Sequence, residues 1–336
     1  MISRISEDAY QAARRHAAFI ERLDRGRIVV SGRDRATYLQ GLLTNDITAL
    51  KPGEGCYTAY LTPQGRMIAD LFVYELGDLM LLTIPLELKD VVLAKLDQFI
   101  FTEDVQLGDV TATFAEIAIV GPDAARVLAG VLDEGSRDAL AALPEHGNVR
   151  GHIGGQAVIV TRVADTGEAG FGVYVERPRA EALESKLKSA GTGELDAETA
   201  DAIRIEAGVP KFLRDMDEET IPLEAGIESR AISMTKGCYV GQEVIIRVLH
   251  RGHGRVAKRL VGLVLEGESV PTRGAAVRAD GRDVGHVTSS ILSPALKRPI
   301  ALAYVHRDFV APGTAVSVEG ARAVVAEVPF VRGQSL

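Results

Sequence analysis

The sequence predicts an α+β protein in which two related α/β lobes are followed by a C-terminal antiparallel β-barrel. Three observations carry that prediction. Gly32, Asp34, Ala36, Leu39, Gly41 and Leu43 recur as Gly121, Asp123, Ala125, Leu128, Gly130 and Leu132, each 89 positions later and each set directly after a β-branched run. Six identities in twelve positions at one offset indicate an internal duplication. The order of elements repeats as well: a strand over 79–84 leads into a helix over 87–99, and a strand over 171–176 leads into a helix over 179–189, about 90 residues on. Beyond Gly254 the texture changes to short β-rich runs at 260–265, 275–278, 285–289, 300–305 and 315–318, separated by Gly- or Pro-containing turns, which is the pattern of a small barrel.

In chain order, residues 3–25 hold an Arg- and Ala-rich helical segment, and 27–30 read as a strand. Ser31 with Asp34 forms a capping-box-like start to a helix that runs to Leu43 and stops at Thr44-Asn45-Asp46. Two lobes of this kind commonly enclose a cleft. A further helix over 197–208 finishes on Gly208 and Pro210. An acidic stretch over 215–219 and a loop over 221–226 then lead to the most unusual segment, Lys236-Gly237-Cys238-Tyr239-Val240-Gly241-Gln242-Glu243.

Composition narrows the function. At 336 residues the chain is long enough for two or three domains, and 46% hydrophobic with 25% charged residues is ordinary for a globular protein. No apolar run is long enough to cross a bilayer and no hydrophobic leader follows the early arginines, so the chain reads as cytoplasmic, with no membrane partner. A net charge of -8 argues against direct nucleic-acid binding. One basic stretch, 247–259, with Arg247, Arg251, Arg255, Lys258, Arg259, His250 and His253, suits a polyanionic ligand tail, an acidic partner or RNA, or is a solvated linker. The two histidines and distant Cys238 fall short of a zinc pattern, so no metal is expected. Cys56 lies in a strand-like run and reads as packed. The Walker A loop, HExxH, paired CxxC and a glycine-rich dinucleotide fingerprint are all missing, which moves nucleotide-driven chemistry and zinc hydrolysis down the list.

Four polar clusters remain. Residues 62–70 form a turn and a strand that carries Asp70. Thr166-Gly167-Glu168-Ala169-Gly170-Phe171 sets Glu168 between glycines, suited to gripping a ring that presents N–H donors, and Arg204, one turn inside a helix end, suits a carboxylate-bearing ligand. In the fourth cluster, 236–243, the following residues fit a helix from Val244 to His250 ended by Gly252 and Gly254, although a strand over 244–248 also matches the β-branched content. With a helix there, Cys238 sits just ahead of its N-terminus, and Lys236 adds positive charge that favours thiolate.

Together these clusters resemble the folate-binding group that contains the glycine-cleavage T-protein (aminomethyltransferase) and its paralogue YgfZ. Leu39-Gln40-Gly41-Leu42-Leu43-Thr44-Asn45-Asp46, Leu61-Thr62-Pro63-Gln64-Gly65-Arg66, the Glu168 segment, Arg204-Ile205-Glu206-Ala207-Gly208, Ile221-Pro222-Leu223-Glu224-Ala225-Gly226 and Gly285-His286-Val287-Thr288-Ser289 stand in the family's order, and 236–243 is similar to the YgfZ signature. The resemblance implies a T-protein-like region over 1–254 and a barrel domain over 255–336, with tetrahydrofolate bound between the lobes. It implies that Glu168 holds the pteridine ring, that Arg204 approaches the folate, that Tyr239, Gln242 and Glu243 belong to the binding residues, and that Cys238, Lys236 and Asp70 carry chemistry. Two departures stand out: the acidic pair important to the T-protein reads Ala69-Asp70, and Gly172 stands where an acid is frequent. The function implied is a tetrahydrofolate-binding accessory protein for iron–sulfur cluster assembly or repair, partnered by assembly or client proteins and affecting tRNA modification indirectly. The alternative is a folate-dependent aminomethyltransferase.

Overall fold

A computed structural model describes residues 5–250 and 255–333. The chain opens with α1 (Glu7–Arg15), capped by Ser6, whose hydroxyl accepts the Ala9 N–H, and continues into β1 (Ala18–Glu21). The first lobe follows as β2 (Arg25–Ser31), α2 (Arg35–Leu42), β3 (Gly55–Leu61), β4 (Met67–Glu75), β5 (Met80–Pro85), α3 (Lys89–Asp97) and β6 (Gln106–Asp109). The second is β7 (Phe114–Val120), α4 (Ala124–Val131), α5 (Glu134–Ala141), β8 (Asn148–Ile153), β9 (Gln156–Val163), β10 (Gly170–Glu176), α6 (Ala180–Ser189) and β11 (Gly193–Glu194).

The duplication is visible in backbone angles. Gly32 and Gly121 turn the chain with φ of 100° and 116°, and Asp34 and Asp123, at φ/ψ of -92/3° and -93/1°, start the helices that follow. In each lobe a side chain at the glycine would strike a backbone carbonyl, of Asp104 in the first and of His16 in the second. His16 comes from the start of the chain. The N-terminal segment thus plays in lobe two the part that residues 104–109 play in lobe one, and the sheets run β3-β4-β5-β2-β6 and β11-β1-β7-β10-β9-β8. The lobes are therefore interlocked rather than consecutive. No capping box forms at Ser31, which ends β2; the Asp34 carboxylate instead accepts the Asp104 N–H at 2.8 Å and ties the helix start to the loop before β6.

Behind the lobes run α7 (Ala197–Glu206), α8 (Pro222–Ala225), α9 (Glu228–Ala231) and α10 (Gln242–His250). The segment 221–226 is thus a single helical turn closed by Gly226 at φ 71°, not a plain loop: Pro222 starts it and the Glu224 carboxylate accepts the Ile221 N–H. The helical reading of 244–250 holds, while Arg251, Gly252, His253 and Gly254, with the helix end and the domain boundary placed there, lie outside the described residues. The barrel is closed in the order β12-β15-β14-β13-β16-β17, from β12 (Lys258–Leu265), β13 (Ala276–Ala279), β14 (Arg282–Leu292), β15 (Pro299–His306), β16 (Ala315–Val318) and β17 (Ala321–Ala326). The sequence reading missed β17, whose small residues carry a weak strand signal. Strand β15 is buried on both faces because Ile300 and Leu302, turned away from the barrel interior, pack on Ile205 of α7.

Candidate functional site

Strand alternation decides what faces the space between the lobes. On β3 and β4, Tyr57, Ala59, Phe72 and Tyr74 pack in the central cluster, whereas Cys56, Ala69, Leu71 and Val73 point into the core of lobe one. Asp70, between Ala69 and Leu71, shares the central face. Here a cavity of about 700 Å³ opens, with one wall from β3, β4 and the segment 19–25 and the other from α7 and the loop 209–214. That volume lies within the range of about 300–1,000 Å³ usual for ligand sites.

The first wall is an aromatic shelf edged by arginines. Tyr57 and Phe72 pair across the strands with ring centroids 5.2 Å apart; the Arg230 guanidinium lies 5.4 Å over Tyr57, and that of Arg25 5.5 Å over Phe72. Asp70 is buried at 6% exposure. Its Oδ2 accepts the Tyr57 hydroxyl at 2.7 Å, and its Oδ1 has no hydrogen-bond partner. Burial raises its pKa, against the pull of Arg25, the Tyr57 hydrogen bond and Arg230. Arg25 is itself balanced: Asp165 accepts from Arg22 at 2.6 Å and from Arg25 at 3.3 Å, and Asp24 takes Arg22 at 3.0 Å and Lys211 at 2.9 Å. Burial would lift both carboxyls, but the surrounding cations outweigh it and hold them below the usual range. Arg230 makes no salt bridge among the described residues and keeps its hydrogen-bonding edge available.

The opposite wall is rigid. Arg204 lines the cavity, and its guanidinium donates to Asp201 at 2.6 Å, Asp215 at 2.5 Å, the Val209 carbonyl at 3.0 Å and Ser289 at 2.8 Å, while Thr288 donates to Asp215 at 2.5 Å. These bonds pin α7 to barrel strand β14 while the side chain lines the cavity.

The other expected residues fall elsewhere. Glu168, 1% exposed, does not line the cavity: it pairs with Arg14 of α1, which also bridges to Glu206, and Gly333 of the C-terminal tail packs over it. Lys236 points inward. Its ammonium donates to the Gln40, Leu43 and Asn45 carbonyls, each at 2.7 Å, capping the end of α2 instead of steering Cys238, and burial lowers its pKa to about 8. Tyr239 is buried beneath that ammonium, 5.2 Å from it, and Gln242 and Glu243 open α10; none of the three lines the cavity. Cys238 is exposed, as a reactive thiol needs to be, but it too lies outside the cavity wall. Asp70 and Arg204 are thus the only expected site residues that line the cavity, and Arg230, Tyr57, Phe72 and Arg25 join it without having been expected. One glycine of the signature serves packing: Gly241 at φ 85° seats the segment on the turn between β3 and β4, where Gly65 at φ 74° leaves room for Val244.

Compared with known proteins, residues 2–236 match the GCVT N-terminal domain and residues 258–331 the glycine cleavage T-protein C-terminal barrel domain. The chain belongs to the glycine cleavage T-protein family. Its relatives in that family include an aminomethyltransferase of Nostoc sp., 32% identical over 340 residues that cover 97% of this chain and 88% of the relative. Another, of Rubrobacter xylanophilus, is 33% identical over 88% of this chain and 78% of its own length. The crystal structure of glycine cleavage system aminomethyltransferase T from Bartonella henselae superposes with a TM-score of 0.87 over 98% of this chain and 90% of that one, at 24% identity, and so shares the T-protein fold. Within the fold, Ala69 faces an apolar core, while Asp70 lines the cavity. At Gly172 a side chain would meet Thr161 Oγ1 at 2.8 Å and Glu116 Oε1 at 3.3 Å, so the neighbouring strand already supplies an acid there.

Proposed function

We propose that the protein binds tetrahydrofolate in the cavity between the lobes and acts as a folate-dependent aminomethyltransferase. The observation that carries this reading is Asp70, a buried carboxylate on the cavity wall with one oxygen uncommitted and a pKa raised by burial. Tetrahydrofolate supplies a secondary amine that accepts a one-carbon unit. A carboxylate held above the ordinary range is the better base for the proton that this amine must shed, and the Tyr57 hydroxyl fixes its orientation. The Tyr57–Phe72 shelf offers flat apolar surface for a ring, and Arg230 offers donors to an anionic group. Names of relatives at about 30% identity support the same reading. The test is turnover with a lipoyl carrier protein and tetrahydrofolate. Wild-type turnover that Asp70→Asn abolishes agrees with it; no turnover despite measurable folate binding sinks the transferase and leaves a binding protein.

Exposed Cys238, outside the cavity and within the 236–243 signature, favours a second reading: an accessory protein for iron–sulfur cluster assembly or repair that meets assembly or client proteins through its thiol, with folate as effector and tRNA modification affected through cluster enzymes. On that reading Cys238→Ala keeps folate affinity and fails to complement a strain lacking the protein. Full complementation removes it.

A further inference from the structure

Asp70 of lobe one is faced by Tyr57 of β3, by Arg25 at the start of β2 and by Arg230 of α9. It forms a salt bridge with neither arginine among the described residues, although its Oδ1 is buried without a hydrogen bond. A carboxylate of the other lobe holds Arg25 away from it. Asp165, in the loop between β9 and β10, lines the cavity together with Arg25 and Asp70. Its Oδ2 accepts from Arg22 at 2.6 Å and from Arg25 at 3.3 Å. The first distance is that of a strong charge-assisted bond; the second is long for one. Arg22 has a further anchor in Asp24 at 3.0 Å. The shared Asp165 oxygen is the one side-chain hydrogen bond of Arg25 among the described residues, and its guanidinium otherwise rests 5.5 Å over the Phe72 ring. The charges that act on Arg25 are Arg22, Asp24, Asp165, Asp70 and, from β7, Glu116. A weakly held donor beside an unmet acceptor gives the cation two positions, on Asp165 or on Asp70. On Asp70 it would take up the carboxylate and hold it ionised.

We infer that Asp165 is a positioning residue: it draws Arg25 to its own side of the cavity and so keeps Asp70 out of an ion pair and fit to serve as a base. The catalytic sense of this rests on the reading of Asp70 given above, whereas the control of its charge is measured on the protein alone. The test is the titration of the Asp70 carboxyl by 13C NMR on the full chain without ligand, its resonance identified by loss in Asp70→Asn. In Asp165→Asn the released Arg25 is expected to lower that titration by about one unit or more, and Asp165→Asn combined with Arg25→Gln returns it to the wild-type value or above. A shift that persists without Arg25 is the direct loss of a neighbouring charge and overturns the inference, as does an Asp165→Asn titration indistinguishable from wild type. Arg22→Gln supplies the opposite sign and decides the matter if Asp165→Asn does not fold. Asp165 then holds Arg25 undivided and Asp70 titrates higher, a rise that disappears in the Arg25→Gln background; no rise, or one that persists there, overturns the inference. With a lipoyl carrier protein and tetrahydrofolate, the acid limb of kcat should follow the same order of variants. Wild-type protein that shows the expected titrations and no turnover sinks the transferase reading and leaves the placement of Arg25 standing.

Discussion

Asp70 lies close to two arginines, yet it gives one oxygen to Tyr57 and keeps the other buried without a hydrogen-bond partner. Its raised pKa fixes a sign. A buried acid of this kind favours the folded state most below its ordinary pKa and withdraws that contribution as pH rises through the raised folded value. Asp70→Asn is therefore expected to leave unfolding free energy unchanged within about 1 kcal/mol or to raise it, while folate affinity falls at least about tenfold; denaturant melts beside a titration separate the two. Arg230→Gln removes a cation that holds the Asp70 pKa down, so the acid limb of the rate profile should move to higher pH; a limb that stays put would detach Arg230 from Asp70. The two cysteines make a sharper contrast. Cys238 is exposed, while burial pushes the Cys56 thiol up to about 12. Native protein should take up one alkyl group under mild iodoacetamide, and Cys238→Ser none until unfolded, counted by intact mass. That Asp70 would line a cavity could be read from its motif; that Lys236 would not serve Cys238 could not, because its three acceptors lie more than 190 residues earlier in sequence.

At the scale of elements, the signature segment is a clamp. Lys236 locks the end of α2, Val240 N–H reaches the Gly41 carbonyl at 3.1 Å, and Gly241 seats on the turn after β3, where an added Cβ would lie 2.5 Å from the Thr62 oxygen. The conformation at φ 85° is also one that side chains rarely adopt. Gly241→Ala should therefore destabilise the protein by about 1–3 kcal/mol, and Lys236→Met by about 2–4 kcal/mol because three carbonyls lose a charged donor. Equilibrium urea unfolding checks both, and a loss well under 1 kcal/mol in either would deny the clamp. Local spacing made α10, α7 and five barrel strands legible, since apolar period and Gly or Pro stops are properties of neighbouring residues. It could not reveal that Glu168 answers to Arg14, 154 positions away. A carboxylate between glycines looks equally fit for a ligand or for a buried ion pair, and only tertiary contact decides.

Across the whole molecule the duplication sets the arrangement of charge at the lobe junction. Arg27 on β2 and Glu116 on β7 occupy equivalent positions of the two repeats, 89 apart, and face each other with Nη1 3.8 Å from Oε2. Both are buried. Arg27, at 1% exposure, otherwise reaches only the Thr111 carbonyl, and burial raises the Glu116 pKa against the pull of Arg22, Arg25 and Arg27. Repetition was legible in the sequence, but this exchange of partners was not, because one ancestral position has become a cation in one copy and an anion in the other. A pair this loosely spaced recovers little of what it costs to desolvate two charges; without Glu116, Arg27 keeps the Thr111 carbonyl alone among its hydrogen-bond acceptors, whereas without Arg27, Glu116 keeps the fields of Arg22 and Arg25. Glu116→Leu should destabilise by about 3–5 kcal/mol and Arg27→Met by less, and the double variant should be less destabilised than Glu116→Leu alone. Additive losses in a double-mutant cycle would show that the two lobes do not communicate through this pair, and that the junction is held by its other contacts, the apolar packing of Tyr74, Tyr174 and Val163 and the bonds from Asn148 to the Glu54 and Glu75 carbonyls among them.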